Sequence, residues 1–278
     1  MSQAWGTGLP VEVGRDTGEM VAAAARGELS ALVVGGVDPD DLPDPVTARE
    51  GLARAFVVSL ELRESPVHEY ADVILPVAPQ QEKAGAYADW EGRLRSFEKA
   101  LDSGAHSDHA MLDLLAAEMG VELGTGDLTA LREEMTAIGP WDGELPAPQV
   151  AAAEPARPGE GQAVLATWHH LLDAGSMQDG EPFLAGTAPR AVARMSATTA
   201  QLAGVAPGGA VTVSTDRGSI TLPAELTQMP DHVVWVPTNS VGSTVRATLG
   251  ADAGELVRVR AGAFPAEVAP GQATAGVA

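Results

Sequence analysis

Residues 71–93, ADVILPVAPQQEKAGAYADWEGR, decide how the first half of the chain is read. The stretch opens with a short apolar run at 72–75 that stops at Pro76, a residue with no N–H to give a strand ladder. Glu82-Lys83, Gly85 and then Asp89-Trp90-Glu91-Gly92-Arg93 follow. Gly85 and Gly92 permit backbone geometries that other residues resist. Glu82, Asp89, Glu91 and Arg93 can form charge pairs within one compact loop, and Trp90 can anchor it. On composition alone this is a loop braced by ion pairs on an α/β sheet.

Working upstream, residues 21–26 form an alanine-rich helical run closed by Gly27 as a C-cap. Residues 29–34 are apolar and stop at Gly35-Gly36, as a buried parallel strand would. After a Pro/Asp turn at 38–44, residues 45–55 carry helix formers, and 56–62 read as the next strand. Ser65-Pro66 offers an N-cap followed by Pro at the first helical position, opening a short helix before the strand at 72–75. The order β-α-β-α-β implies a parallel sheet with right-handed crossovers. Ligands of such sheets sit beyond the carboxyl ends of the strands, which here carry Gly35, Gly36, Glu61, Arg63 and Pro76.

Working downstream, Ser107 can cap a helix at 108–119, whose Met111, Leu112, Leu115 and Met119 share one face, and Asp127 a second with Leu128, Leu131, Met135 and Ile138. Residues 139–163, GPWDGELPAPQVAAAEPARPGEGQA, hold five prolines and no sustained periodicity, and read as an extended linker. Beyond it the period changes to two. Val211, Val213 and Thr215 alternate with Thr212 and Ser214; a turn at Asp216-Arg217-Gly218 follows; then Ile220, Leu222 and Ala224 alternate with Ser219, Thr221 and Pro223. Runs at 233–236 and 255–260 add short strands, and 198–204 a brief helix, giving a small barrel with one inserted helical turn in which Trp168 and Trp235 pack. The expected organisation is 1–138, an α/β part incomplete at its N-terminus; 139–163, linker; 164–262, barrel; and 263–278, a flexible Ala/Gly/Pro-rich tail.

A length of 278 residues fits two domains of about 150. Hydrophobic residues are 45 % and charged ones 20 %, enough to bury two cores, and with only 4 % aromatics those cores are built from Ala, Val and Leu. A formal charge of −21 repels phosphate backbones and anionic membranes, so nucleic acid and direct membrane insertion are set aside as partners. With no cysteine there is no disulfide, thiolate nucleophile, Cys zinc site or ordinary iron–sulfur ligation. The N-terminus lacks the basic and apolar regions of a signal peptide, and the apolar stretch at 20–37 is broken by Arg26 and Glu28. The chain reads as cytoplasmic.

The order of residues within 71–93 resembles the molybdopterin oxidoreductase family: A-D-V-x-L-P, then E-K-x-G, then N-x-E-G-R is the pattern of its third domain. Gly35-Gly36-Val37-Asp38-Pro39 lies where that family has a Gly-x-Asn-Pro turn. Gly204-Val205, residues 208–214 (GGAVTVS) and Arg217-Gly218-Ser219-Ile220 resemble its C-terminal dinucleotide-binding domain. The resemblance runs from about residue 28 to 262. It implies an α/β parallel-sheet (Rossmann-like, partial) domain followed by an all-β double-psi β-barrel. Within the family, the phrases at 56–63, 82–85, 89–93, 172–188 and 235–240 are similar to the G subunits of bacterial NADH:quinone oxidoreductases, respiratory complex I.

That branch implies a structural segment of the peripheral arm, with the other peripheral-arm subunits as partners and a place beside the cell membrane through the complex. No redox centre is expected in this chain, and the isolated chain is expected not to be catalytic. The resemblance also implies that the chain starts inside the third domain, as the C-terminal part of a longer subunit or a shortened gene product. The iron–sulfur clusters, and the molybdenum ligand of catalytic relatives, then belong to the part outside it. If a pterin pocket is retained, the resemblance assigns Glu82, Gly85, Asp89, Glu91, Gly92, Arg93 and Asn239 to its border. Asp89 stands where the family has Asn, Ala86 where it often has Thr, and the barrel's Gly-Asp turn reads Gly209-Ala210. Ionised Asp only accepts where Asn also donates, so the pocket is expected to have fallen out of use.

Two alternatives stay open: the C-terminal piece of a formate dehydrogenase-like enzyme that binds molybdopterin guanine dinucleotide, and a stand-alone acidic interaction module. Other constellations carry little. His106 and His109 lack a third fixed ligand and read as helix-terminal residues, and His169-His170 point to opposite faces if they lie in a strand. No G-x-S-x-G elbow or phosphate-cradling glycine motif occurs, and Glu133-Glu134 diverge on a helix.

Overall fold

A computed structural model describes residues 8–10, 12–139 and 154–264. Most of the expected linker and of the tail lies outside the described residues. Two compact units emerge. One holds the chain up to Pro39 and from Val46 to residue 139; the other holds Asp40–Pro45 together with residues 154–264.

The first unit starts at helix α1 (Thr17–Arg26). Asp16 opens it through a capping box: its carboxylate accepts the Glu19 N–H at 2.8 Å, and the Glu19 carboxylate accepts the Asp16 N–H at 3.1 Å. Gly27 closes it in the left-handed region at φ 77°, as its position after the alanine run suggests. Strands β1 (Ala31–Gly35), β2 (Phe56–Glu61) and β3 (Val73–Pro76) form a parallel sheet in that order, with helix α2 (Pro45–Arg54) between β1 and β2. The α1 and α2 backbones approach so closely at Gly51 that a Cβ there would sit 2.5 Å from the Val21 carbonyl oxygen. Ala24, Leu52, Ala55, Val57 and Val67 make the core, with Leu32 and Val34 packed on it. Asp72 staples two strands: its carboxylate accepts the Val57 N–H at 2.8 Å while its own N–H donates to the Val57 carbonyl at 2.9 Å.

The stretch after β3 differs from the expected loop. It is a hairpin, β4 (Gly85–Ala88) against β5 (Leu94–Phe97), in antiparallel register. Trp90 anchors nothing: it is 97 % exposed at the hairpin tip. Ser65 and Ser107 occupy N-cap positions, but neither side chain caps; Ser107 instead bonds the His109 ring at 3.2 Å. Helix α3 (Asp108–Glu118) buries only Ala116, so its supposed apolar face is largely open, with Leu112 and Met119 exposed. Helix α4 (Leu128–Ile138) is capped by Asp127, which accepts the Thr129 and Ala130 N–H groups at 2.7 and 3.3 Å.

The second unit is a closed barrel of six strands, consistent with a double-psi barrel. Around the ring, β6 (Gln162–Trp168) is followed by β13 (Leu256–Ala261), β8 (Ala210–Ser214), β9 (Ser219–Leu226), β7 (Ala193–Met195) and β10 (Val233–Pro237), which returns to β6. β10 and β6 run parallel, as do β7 and β9, and the other pairs are antiparallel. Alternation fills the interior: Val211 and Val213 of β8 meet Ile220, Leu222 and Ala224 of β9 beside Leu165, Val234, Val236, Val257 and Val259. Two expectations fail here. β6 takes up the last two residues assigned to the linker, and Trp168 at its end is 75 % exposed because the strand has already left the core.

Short insertions decorate the ring: helix α5 (Pro182–Ala185), helix α6 (Ala197–Leu202), a hairpin β11 (Asn239–Ser240) with β12 (Ser243–Thr244), and a π-helical turn Val245–Leu249 that buries Val245 and Leu249. Gly218 lies against the Thr248 carbonyl, where any Cβ would collide. Arg217 reaches Asp44 at 2.6 Å and Arg246 donates to the Asp41 carbonyl, which fixes Asp40–Pro45 to the barrel. His232 is a non-glycine residue at φ 58°, held there because its N–H donates to Thr199 Oγ1 at 2.9 Å and its carbonyl accepts from Val164 at 2.8 Å.

Ser59 on β2 is fully buried, and its hydroxyl has no hydrogen-bond partner among the described residues. An unpaired buried hydroxyl costs about 1–3 kcal/mol, and removing it leaves nearly the same volume. Ser59→Ala is therefore expected to raise the urea midpoint of unfolding by the equivalent of about 1 kcal/mol. A lowered midpoint at unchanged slope would show that the hydroxyl is satisfied in solution.

Candidate functional site

The residues singled out from the sequence fall into three places. Asp89, Glu91, Gly92 and Arg93 share the tip of the β4–β5 hairpin, Gly85 and Glu82 lie at its base, and Asn239 belongs to the barrel unit.

At the tip, one carboxylate organises the turn. One Asp89 oxygen accepts the Glu91 and Arg93 N–H groups at 3.0 and 2.9 Å, and the other accepts Arg93 Nε at 3.0 Å. The Asp89 N–H donates to the Arg93 carbonyl at 3.1 Å, and Gly92 crosses the turn at φ 80° with its N–H on the Asp89 carbonyl. Arg93 also pairs with Glu91. Both acceptor atoms of Asp89 and the one cation of the tip are thus engaged inside the loop. At the base, Gly85 lacks a side chain because the Phe97 ring occupies that space: a Cβ would lie 2.7 Å from it. The Gly85 carbonyl accepts from Arg132 of α4 at 2.9 Å.

Glu82 ends a 3-10 turn, Gln80–Glu82, beside a shallow cleft of about 270 Å³ that Lys83, Lys99, His106 and His109 also line. Lys83 is bonded to Asp108 at the start of α3 at 2.5 Å. Burial works to raise the Asp108 carboxyl, but the Lys83 ammonium, its own backbone N–H and nearby His109 outweigh that and hold it below its ordinary value. A carboxyl lower in the folded than in the unfolded chain contributes stability above the ordinary carboxylate range and loses it as pH falls through the depressed value. Nothing in the spacing of Lys83 and Asp108 announces this tie.

At the carboxyl edge of the sheet, where a parallel sheet binds ligands, the Gly36 N–H donates to the Glu61 carboxylate at 3.1 Å. A protein carboxylate therefore already occupies the amide at the end of β1. In the barrel unit, the Asn239 carbonyl accepts the Ala174 N–H at 2.9 Å. Neighbouring Ser240 lies 3.4 Å from His170, whose ring packs on Trp235 at 5.5 Å. Arg194 covers the Trp235 ring at 5.1 Å, so this tryptophan packs against Arg194 and His170 on the outer side of β10, while its neighbours Val234 and Val236 fill the barrel interior expected of Trp235. His169 pairs with Asp173 at 2.6 Å, and the two histidines lie beyond the end of β6. Among the described residues no group of three or more His, Cys, Asp or Glu is placed to hold a metal ion.

Comparison with known proteins matches residues 5–116 to the family described as "Molybdopterin oxidoreductase" and residues 164–263 to the "Molydopterin dinucleotide binding domain". The chain matches the molybdopterin oxidoreductase family. It also strongly resembles the G subunit of NADH-quinone oxidoreductase over most of its length. It is 53 % identical over 260 residues to that subunit from Mycobacterium tuberculosis (91 % of this chain, 32 % of the relative), and 50 % identical over 278 residues to that from Streptomyces coelicolor (95 % and 33 %). The chain thus spans about a third of the length of these relatives. Among solved structures, acetylene hydratase from Pelobacter acetylenicus shares the fold at a TM-score of 0.55 with 14 % identity, over 88 % of this chain and 46 % of the hydratase.

Asp89→Asn keeps the shape of the side chain while removing the charge from the contact to Arg93. The pair is partly exposed, so a loss of about 0.5–1 kcal/mol in unfolding free energy is expected. Chemical denaturation checks it, and an unchanged or raised midpoint would mean that the carboxylate does not hold the turn.

Proposed function

We propose that this chain is a structural segment of the G subunit in the peripheral arm of an NADH:quinone oxidoreductase. It would support electron transfer from NADH to quinone, coupled to proton translocation, without a redox centre of its own. The observation that carries the proposal is the 53 % identity maintained over 91 % of the chain. The absence of cysteine supports it, since iron–sulfur ligation needs thiolates and would fall to the rest of the subunit. Among the described residues no helix is long and apolar enough to cross a membrane. In the proposed setting the chain works on the cytoplasmic side, held beside the membrane by its partner subunits.

The residues that would border a molybdopterin dinucleotide do not fit it. Such a cofactor brings a diphosphate, which needs free N–H donors and cations. Here Glu61 occupies the Gly36 amide, and Arg93 is committed to Asp89 and Glu91. Asp89 accepts where the family's Asn could donate, and further carboxylate would repel the phosphates. Glu82, Gly85, Asp89, Glu91, Gly92, Arg93 and Asn239 are therefore assigned to holding the fold, and no step is routed through a pterin.

The test is affinity capture of the tagged chain from membranes of an actinobacterial host, followed by mass spectrometry of what comes with it. Recovery of other peripheral-arm subunits is expected, with no NADH-dependent reduction of ferricyanide or quinone by the purified chain alone. Capture without such subunits, reduction by the isolated chain, or near-stoichiometric molybdenum bound to these residues would each overturn the proposal.

A further inference from the structure

The barrel unit holds a cavity of about 340 Å³ at the start of β6, where residues 158–162 run beside α6 and His232. None of the candidate site residues lines it. Its walls are apolar: Pro158, Leu202, Ala203 and Val259. Glu160 and His232, both exposed, supply its titratable groups, and no lysine or arginine is among its lining residues. Arg258, opposite Gln162 in the β13–β6 register, is already engaged by Asp216 at 2.6 Å.

Hydrogen bonds hold the frame of this cavity. The Gln162 side chain accepts the Gly159 N–H at 3.0 Å, the Gly161 carbonyl accepts from Val259 at 2.9 Å, and Gly161 takes φ 70°. On the other side Thr199, only 4 % exposed, accepts the His232 N–H and shares a hydrogen bond with Ser196, which donates to Asp231 at 2.5 Å. These contacts keep His232 in the left-handed region, a conformation that persists only where its surroundings impose it. With the backbone so fixed, the Glu160 carboxylate and the His232 ring have no partner among the described residues.

The unpaired groups select the ligand. A carboxylate only accepts hydrogen bonds, and a neutral imidazole accepts at one nitrogen. A wholly apolar occupant would take water from Glu160 and return no hydrogen bond. An anion would meet Glu160 and the neighbouring Asp231, on a chain of formal charge −21 whose field draws in cations. We propose that the cavity binds a small organic cation: an ammonium or guanidinium head at Glu160 and His232, on a short apolar stem lying along Leu202 and Val259. The volume lies at the lower end of the range for small-molecule sites. The site belongs wholly to the barrel unit, so it does not depend on the complex that the chain joins.

The test titrates n-pentylamine into the full chain at about pH 8, above the ordinary imidazole range, beside pentanol and pentanoate. Calorimetry gives the affinity, and the histidine ring resonances give the location, His232 being assigned by its loss in His232→Gln. Saturable millimolar binding of the amine is expected, with a shift of the His232 signal. Pentanol, and the amine on Glu160→Gln, should bind about tenfold more weakly, the factor that one charge-assisted hydrogen bond supplies. Glu50→Gln, which removes an exposed acid on α2, should change nothing.

Pentanol or pentanoate binding as tightly as the amine overturns the proposal, and this comparison on the unaltered chain stands whatever the variants do. So does an affinity that Glu160→Gln leaves unchanged or that Glu50→Gln lowers equally, since diffuse attraction to an acidic chain would then suffice. So do shifts confined to the other histidines, and so does a lack of saturable binding at millimolar amine.

Discussion

Backbone N–H and C=O groups in a strand must find partners, and apolar strand faces must leave water; the two units meet these demands in different ways. In the barrel, β7 bonds β9 on one side and β10 on the other, so the ladder closes and no edge remains. Alternating Val and Leu then fill an interior in which Leu165, Val211 and Val234 are essentially dry. The three-stranded sheet has no such closure. Its helices cover one face, Asp72 stitches β2 to β3, and among the described residues β1 and β3 each pair on one side only.

Charge explains why the tip of the β4–β5 hairpin is chemically quiet. A binding loop keeps its donors and cations available; this hairpin spends them on itself. Asp89 takes three hydrogen bonds from two residues of its own turn, Arg93 answers with two carboxylates, and Glu61 takes the Gly36 amide. With its one cation already paired, the hairpin tip sits on a strongly acidic chain whose long-range field disfavours anions.

Much of the fold is legible in the sequence because it rests on local rules. Gly27 after an alanine run, Gly35 ending β1, the Val/Thr alternation of β8 and the Asp127 cap each act within a few residues, and the structure places them as read. Errors concentrate where distant parts decide. Trp90 and Trp168 suggest anchors by size alone, yet the first sits on a hairpin tip and the second past the end of its strand. The hairpin itself is hidden because Gly85, Ala86 and Ala88 are weak strand formers, and what favours pairing is the Tyr87–Phe97 contact and register with residues 94–97. Among the candidate site residues, the ion pairing of Asp89, Glu91 and Arg93 is visible in their spacing. The ties of Lys83 to Asp108 and of Gly36 to Glu61 span 25 residues each and leave no mark on the linear pattern.

The Arg217–Asp44 contact spans 173 residues and belongs wholly to the barrel unit, which is therefore assembled from two separate pieces of the chain. During synthesis the small piece emerges first and waits for the large one; closing so wide a loop costs only slightly more entropy than closing a shorter one. Its geometry still matters to anyone dissecting the protein. No single incision along the polypeptide can release the barrel intact, because any fragment beginning at the proline-rich stretch leaves behind the carboxylate that Arg217 grips.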